Sequence, residues 1–175
     1  MYKLFTPPAH KISIKSKPIR FILNHIQHYN HDKYWYRRSI VVNANNNVCF
    51  MKKLLYLYYI KRCDAFNNAS FGTNINSGST FKTPPILLHG MNGIVVGHDI
   101  TIGENVTICQ QVTIMHGGNT VIGNNVFIGA GAKILPGVHI GHNVKIGANC
   151  VVVEDIPDNA TVVLPKPRII LRNTK

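Results

Sequence analysis

At 175 residues the chain is long enough for one domain with a real core and short for two. Its 45% apolar and 15% charged content excludes a wholly disordered chain. The formal charge of +12 is unevenly placed, with +10 over residues 1–66, −2 over 67–165 and +4 over 166–175. A nucleic-acid binder carries its basic stripe on the folded body. Here the body is nearly neutral, so no nucleic-acid partner is expected. The basic ends read either as solvated termini or as attraction to an anionic ligand or membrane surface.

Met1–Arg20 alternates Lys, Pro and apolar residues with no continuous apolar stretch, so no secretory signal is expected. Residues 18–66 read as helical, most clearly at Lys52-Lys53-Leu-Leu-Tyr-Leu-Tyr-Tyr-Ile-Lys61-Arg62. The apolar run Leu54 to Ile60 is far below the ~20 residues of a spanning helix. An aromatic and aliphatic body with basic ends fits either a helix packed on the rest of the molecule or an interfacial membrane helix. Packing is the preferred reading. Cys49, Cys63, Cys109 and Cys150 have no metal-type spacing and read as reduced thiols of a cytosolic protein.

From Val96 onward the chain has a period of six. Val96, Ile102, Ile108, Ile114, Ile122, Ile128, Ile134, Ile140, Ile146 and Val152 occupy one phase, broken only by two extra residues near His116-Gly117-Gly118-Asn119. Four places after each comes a small or branched residue, and one place before that a turn residue such as Asn105, Asn125 or Gly131. Six is neither helical nor a simple alternation. It predicts a solenoid of short strands joined by tight corners, where Asn, Asp and Gly accept the left-handed backbone conformation. The aliphatics stack inward, each contributing roughly 1.5–3 kcal/mol when fully buried. They are core and do no chemistry.

Ile102-Gly-Glu-Asn-Val-Thr and Ile122-Gly-Asn-Asn-Val-Phe resemble the repeats of the hexapeptide-repeat acyltransferases over about residues 68–170. The resemblance implies a left-handed parallel β-helix of about five coils, three hexapeptides to a coil. It also implies a homotrimer with active sites between subunits. Phe71-Gly-Thr-Asn-Ile-Asn looks like the start of the first coil, and Ser77 to Pro85 like a distorted coil or loop. The expected organisation is a basic, largely helical segment (1–66), the β-helix (67–165) and a basic tail (166–175).

Within that family the chain looks most like the serine acetyltransferases and the capsule and O-antigen O-acetyltransferases. The likeness is carried by His89-Gly-Met-Asn-Gly93-Ile-Val-Val, Ile128-Gly-Ala-Gly-Ala-Lys133-Ile and Leu164-Pro-Lys-Pro-Arg168-Ile-Ile. It implies acetyl-CoA as co-substrate and no metal. Transfer from a thioester to a hydroxyl needs a base, and histidine titrates near the operating pH. His89 matches the family's catalytic His, and His116, at the insertion, is the second candidate. Asn92 and His98 are candidates for contact with the acceptor, while His139 and His142 read as surface residues. Gly129, Ala130, Gly131 and Ala132 are expected to leave a groove for the pantothenate arm. Lys133, Lys145, Lys166 and Arg168 are expected near the CoA phosphates.

A zinc site of the kind found in γ-class carbonic anhydrases would need two histidines five positions apart, and the repeat offers none. Leu88 stands where serine acetyltransferases have an Asp, and their Arg-His loop is missing. A charged acceptor would then lack its partners, which tips the expectation towards a sugar hydroxyl of a surface polysaccharide or its precursor. The rival readings are a serine O-acetyltransferase and a non-catalytic β-helix scaffold. The expected location is cytoplasmic, in reach of the inner membrane face through the N-terminal segment.

Overall fold

The structure, a computed structural model, describes residues 24–166 and 168. Among the described residues, helices α1 (His31–Val42) and α2 (Phe50–Phe66) precede sixteen short strands. Residues 18–23 of the expected helical stretch and 167 and 169–175 of the expected tail lie outside the described residues.

Fourteen of the strands build the walls of a three-faced prism, and all their pairings are parallel. Face 1 stacks β1 (Ser70–Phe71), β6 (Val95–Val96), β9 (Thr113–Ile114), β12 (Lys133–Ile134) and β15 (Val151–Val152). Face 2 stacks β4 (Thr80–Phe81), β7 (Thr101–Ile102), β10 (Val121–Ile122) and β13 (His139–Ile140). Face 3 stacks β5 (Ile86–Met91), β8 (Thr107–Ile108), β11 (Phe127–Ile128), β14 (Lys145–Ile146) and β16 (Thr161–Val162). The result is a mainly β solenoid of about four turns, where about five coils were expected, and it is consistent with a left-handed β-helix.

The inward ladder is the predicted one. Ile102, Ile108, Ile114, Ile128, Ile134 and Ile146 are wholly buried, as are Val112, Ala132 and Val144 from the second phase. Corners fall where the turn residues were read: Asp99, Asn105, Gln111, Asn125, Asn143 and Asn149 have φ between 53° and 60°. On the edge between faces 2 and 3 the asparagines do a second job. Asn105 donates to Asn125 at 3.3 Å, Asn125 to Asn143 at 3.1 Å, and Asn143 to Asn159 at 3.0 Å. The corner residue that tolerates positive φ therefore also ties each coil to the next.

The first coil departs from the sequence reading. Only Phe71 of Phe71-Gly-Thr-Asn-Ile-Asn takes its place in the ladder, opposite Val96. Thr73–Asn74 (β2) and Ser77–Gly78 (β3) then form an antiparallel hairpin, and the chain rejoins the prism at β4. Ser77 to Pro85 is accordingly half hairpin and half regular coil. The cause is Arg38 of α1, which is 3% exposed. Its guanidinium donates to Thr73 Oγ1 at 3.0 Å and to the carbonyls of Phe71 and Ser79 at 2.7 Å each. These bonds satisfy a buried cation and hold the hairpin against the helix.

The helices cover the end of the solenoid that β1 would otherwise leave open, as terminal caps of repeat proteins do. Val41, Ile60 and Cys63 join Phe71 in the same core, with Tyr34, Trp35, Phe71 and Phe81 in edge-to-face contact. Asn30 caps α1, its side-chain oxygen accepting from Lys33 N. The Lys53 ammonium is buried and donates to Asn43 O and Asn76 Oδ1. Part of the N-terminal positive charge is thus structural.

Asp64 sits under Tyr34, whose hydroxyl donates to Asp64 Oδ1 at 2.6 Å, while Oδ2 is buried without a partner among the described residues. Burial pushes its carboxyl up from 3.8 to about 6. The folded state therefore holds this proton more tightly than the unfolded chain does. Its contribution to stability is complete below about pH 4 and is lost as pH rises through about 6. Asp64→Asn is expected to flatten that part of the curve, read as Tm against pH between 4 and 7.

Candidate functional site

The edge between faces 3 and 1 carries most of the residues singled out from the sequence. Leu87 pairs with Ile108, and Asn92 O accepts from Gln111 N just as Gln110 O accepts from Gly131 N and Ala130 O from Asn149 N. Asn92, Gln110 and Ala130 therefore share one column along this edge. Between its paired position and that column the first coil has three more residues than the second, and His89 lies in this excess. The bulge explains why β5 runs to Met91 when the other wall strands have two residues. His89 is exposed, and no hydrogen bond ties its ring among the described residues. Asn92 is exposed beside it.

Two coils further along the same edge, ~10 Å at the usual strand spacing, comes Gly129-Ala-Gly-Ala132. Stacking explains its two glycines. A Cβ on Gly129 would lie 2.6 Å from Ala148 N, and one on Gly131, at φ +71°, would lie 2.2 Å from Asn149 Oδ1. Ala132 points into the core with no exposure. Of the four residues expected to line a groove, Ala130 alone has a side chain on the outside, half-buried. Gly129 and Ala132 can meet a ligand only through backbone.

Between the two sites stands Gln110, unnoticed in the sequence, whose Oε1 is enclosed without a hydrogen-bond partner among the described residues. Lys133 is next along the chain but turned to its own coils, donating to Gln111 O and Thr113 Oγ1 at 3.0 Å each. Lys145 stands half-buried on face 3 beside the edge, and Lys166 and Arg168 are exposed beyond β16.

His98 and His116 lie on the next edge, between faces 1 and 2. They are 18 residues apart, one coil, and their rings stand 6.3 Å apart, edge to face. His116 Nδ1 is 3.2 Å from His98 O and 4.0 Å from an Asp99 carboxylate oxygen. His98 O can accept from Nδ1–H and so orient this ring, while Asp99 lies beyond hydrogen-bond distance. Asp99 was missed as a site residue because it reads as a corner. The 18-residue coil length places it one coil from Gly117, the neighbour of His116. Within one chain, then, His89 and His116 are not brought together: face 1 separates them.

On the third edge His142 Nδ1 accepts from Asn124 N at 2.9 Å, and on face 2 exposed His139 lies 3.8 Å from Asp155. Both do surface work. Among the described residues no three His, Cys, Asp or Glu side chains gather as a metal site.

Comparisons agree with this architecture. The family model described as bacterial transferase hexapeptide (six repeats) matches residues 119–153. Among solved structures, a serine acetyltransferase in complex with CoA is 32% identical with a TM-score of 0.57, over 74% of this chain and 50% of that one. The Neisseria gonorrhoeae serine acetyltransferase in complex with serine is 36% identical with a TM-score of 0.52, over 67% and 49%. Serine acetyltransferase isoform 3 of Entamoeba histolytica, in complex with cysteine, is 30% identical with a TM-score of 0.56, over 71% and 46%. The chain thus spans about half the length of these proteins. No curated protein matches it.

Proposed function

We propose that this chain is an acetyl-CoA-dependent O-acetyltransferase with His89 as general base. The observation that carries the reading is one edge of the prism: the untethered His89 bulge and the Ala130 column lie on it, two coils apart. In this reading the thioester arm runs along the edge past Ala130 and Gln110, hydrogen bonding to backbone as another strand would. His89 takes the proton of the acceptor hydroxyl as its oxygen attacks the acetyl carbonyl. The thioester C–S bond then breaks and CoA leaves as the thiolate, which takes up a proton. In this reading backbone N–H groups steady the oxyanion.

A homotrimer belongs to the same proposal. Face 1 separates the two histidine edges within a chain, so a neighbouring copy is needed to set His116 and Asp99 beside His89. Support comes from Val95 and Val151, 40% and 55% exposed on the outer side of that face.

Two acceptors remain, each with its own support. L-serine is supported by the comparisons, because serine acetyltransferases are among the solved structures similar to this chain. A sugar hydroxyl is favoured by Leu88 before His89 and by the neutral Asn92, Gln110 and Gln111 along the edge, which offer a charged amino acid no partner. CoA thiol release with L-serine, set against release with neutral sugars, separates them. Turnover with serine alone removes the glycan reading, and turnover with sugars alone removes the serine reading.

A further inference from the structure

Helix α2 is apolar on two sides, and the prism explains only one. Its inner side buries Lys53, Ile60, Cys63 and Asp64. On its outer side Phe50, Met51, Leu54, Leu55 and Tyr58 are 62%, 61%, 42%, 65% and 68% exposed. The spacing i, i+1, i+4, i+5, i+8 sets all five on one helix face. Single exposed apolar residues are ordinary, but a contiguous row of this kind marks a surface made to be covered.

The charge beside the row says what covers it. Lys52 flanks it, and Lys61 and Arg62 continue it by one turn, all three exposed. The one acid of α2, Asp64, is buried on the other side. Arg62 also lines a cleft of about 400 Å³ with Lys33, His25 and His28, and among the described residues no acid lines it. A second copy laid on this face would bring Lys52, Lys61 and Arg62 towards their own counterparts with no carboxylate to pair them. A bilayer carrying anionic phospholipids offers both what the apolar row needs and what the cations need.

We infer that the outer face of α2 seats the protein on an anionic membrane surface. Phe50, Met51, Leu54 and Leu55 enter the headgroup boundary, Tyr58 lies at its level, and Lys52, Lys61 and Arg62 meet lipid phosphates. Among the described residues no helix is long and apolar enough to cross a membrane, so the contact is peripheral. The inference rests on the helical segment and stands independently of the acetyl-transfer reading.

The test is co-sedimentation of the full chain with vesicles of phosphatidylcholine alone and of phosphatidylcholine mixed with phosphatidylglycerol. The protein is expected to pellet with the mixed vesicles, less with phosphatidylcholine, and less as NaCl is added. Leu55→Glu, at an exposed position, should keep the wild-type Tm and lose at least about tenfold in partitioning. Lys61→Gln and Arg62→Gln should each lose about fivefold. Wild-type protein left in the supernatant with mixed vesicles overturns the inference. So does a Leu55→Glu variant that pellets like wild type. A wild-type chain that ignores vesicles, with Leu55→Glu sedimenting as a smaller oligomer, assigns the face to a second copy instead.

Discussion

His89→Ala is expected to lower kcat by roughly 10²–10⁴, the range that a positioned general base supplies. Affinity for acetyl-CoA should barely move, because the proposed path of the thioester arm runs past Gln110 and Ala130, further along the edge. The split between a lost kcat and a kept CoA affinity is what separates a base from a residue that merely shapes the groove. His89 has no ring partner among the described residues, so its removal strands no buried group and the fold should be unaffected. His116→Ala, assayed beside it, decides the second role. A large loss makes His116 a partner in catalysis brought by a neighbouring copy, and a small one makes it a surface residue. Near-full acetyl transfer by His89→Ala would remove His89 as the base and turn attention to His116, whose Nδ1 already faces His98 O and Asp99.

Replacing Ile128 with Asp should abolish folding. Ile128 is wholly buried on face 3 with Ile108 below it and Ile146 above, so the carboxylate would enter a dry ladder with no cation in reach. Loss of soluble, cooperatively melting protein is the expected result. Ile140→Asp, 3% exposed on face 2, should behave the same way. A solenoid spreads its stability over neighbouring coils, so a break in the middle costs the contacts on both sides. A soluble Ile128→Asp protein with a single sharp transition would mean that the inward register is wrong.

The prism was legible because its rule is local and repeated. Each buried aliphatic is followed at a fixed distance by a corner residue, and positive φ at Asn105, Asn125 and Asn143 follows from a tolerant residue type at that place in the repeat. The first coil was not legible in the same way. Its hairpin over Thr73–Gly78 is fixed by Arg38 from a helix some 35 residues earlier, and no periodic pattern encodes a long-range hydrogen bond. Helix α2 could be read as a helix but its two apolar sides could not be told apart, since both the packed and the exposed side carry aliphatic and aromatic residues. The candidate site was half visible. His89 stood out as a residue that failed to fit the period. The glycines of Gly129-Ala-Gly-Ala132 looked like an open groove, while the stacking of coils is what requires them. Asp99 and Gln110 were hidden by ordinary corner positions, and only the stacking of residues one coil apart gives them neighbours worth noticing.

The central claim is that acetyl-CoA binds along the edge between faces 3 and 1, and calorimetric titration of the full chain with acetyl-CoA tests it most directly. The account predicts saturable binding that is retained in His89→Ala and lost in Ala130→Trp, where a large ring fills the edge without entering the core. A ligand that binds only the folded state should also raise Tm with its concentration. A folded chain that shows no heat of binding and no rise in Tm with acetyl-CoA would contradict the account and leave a β-helix that serves as a scaffold.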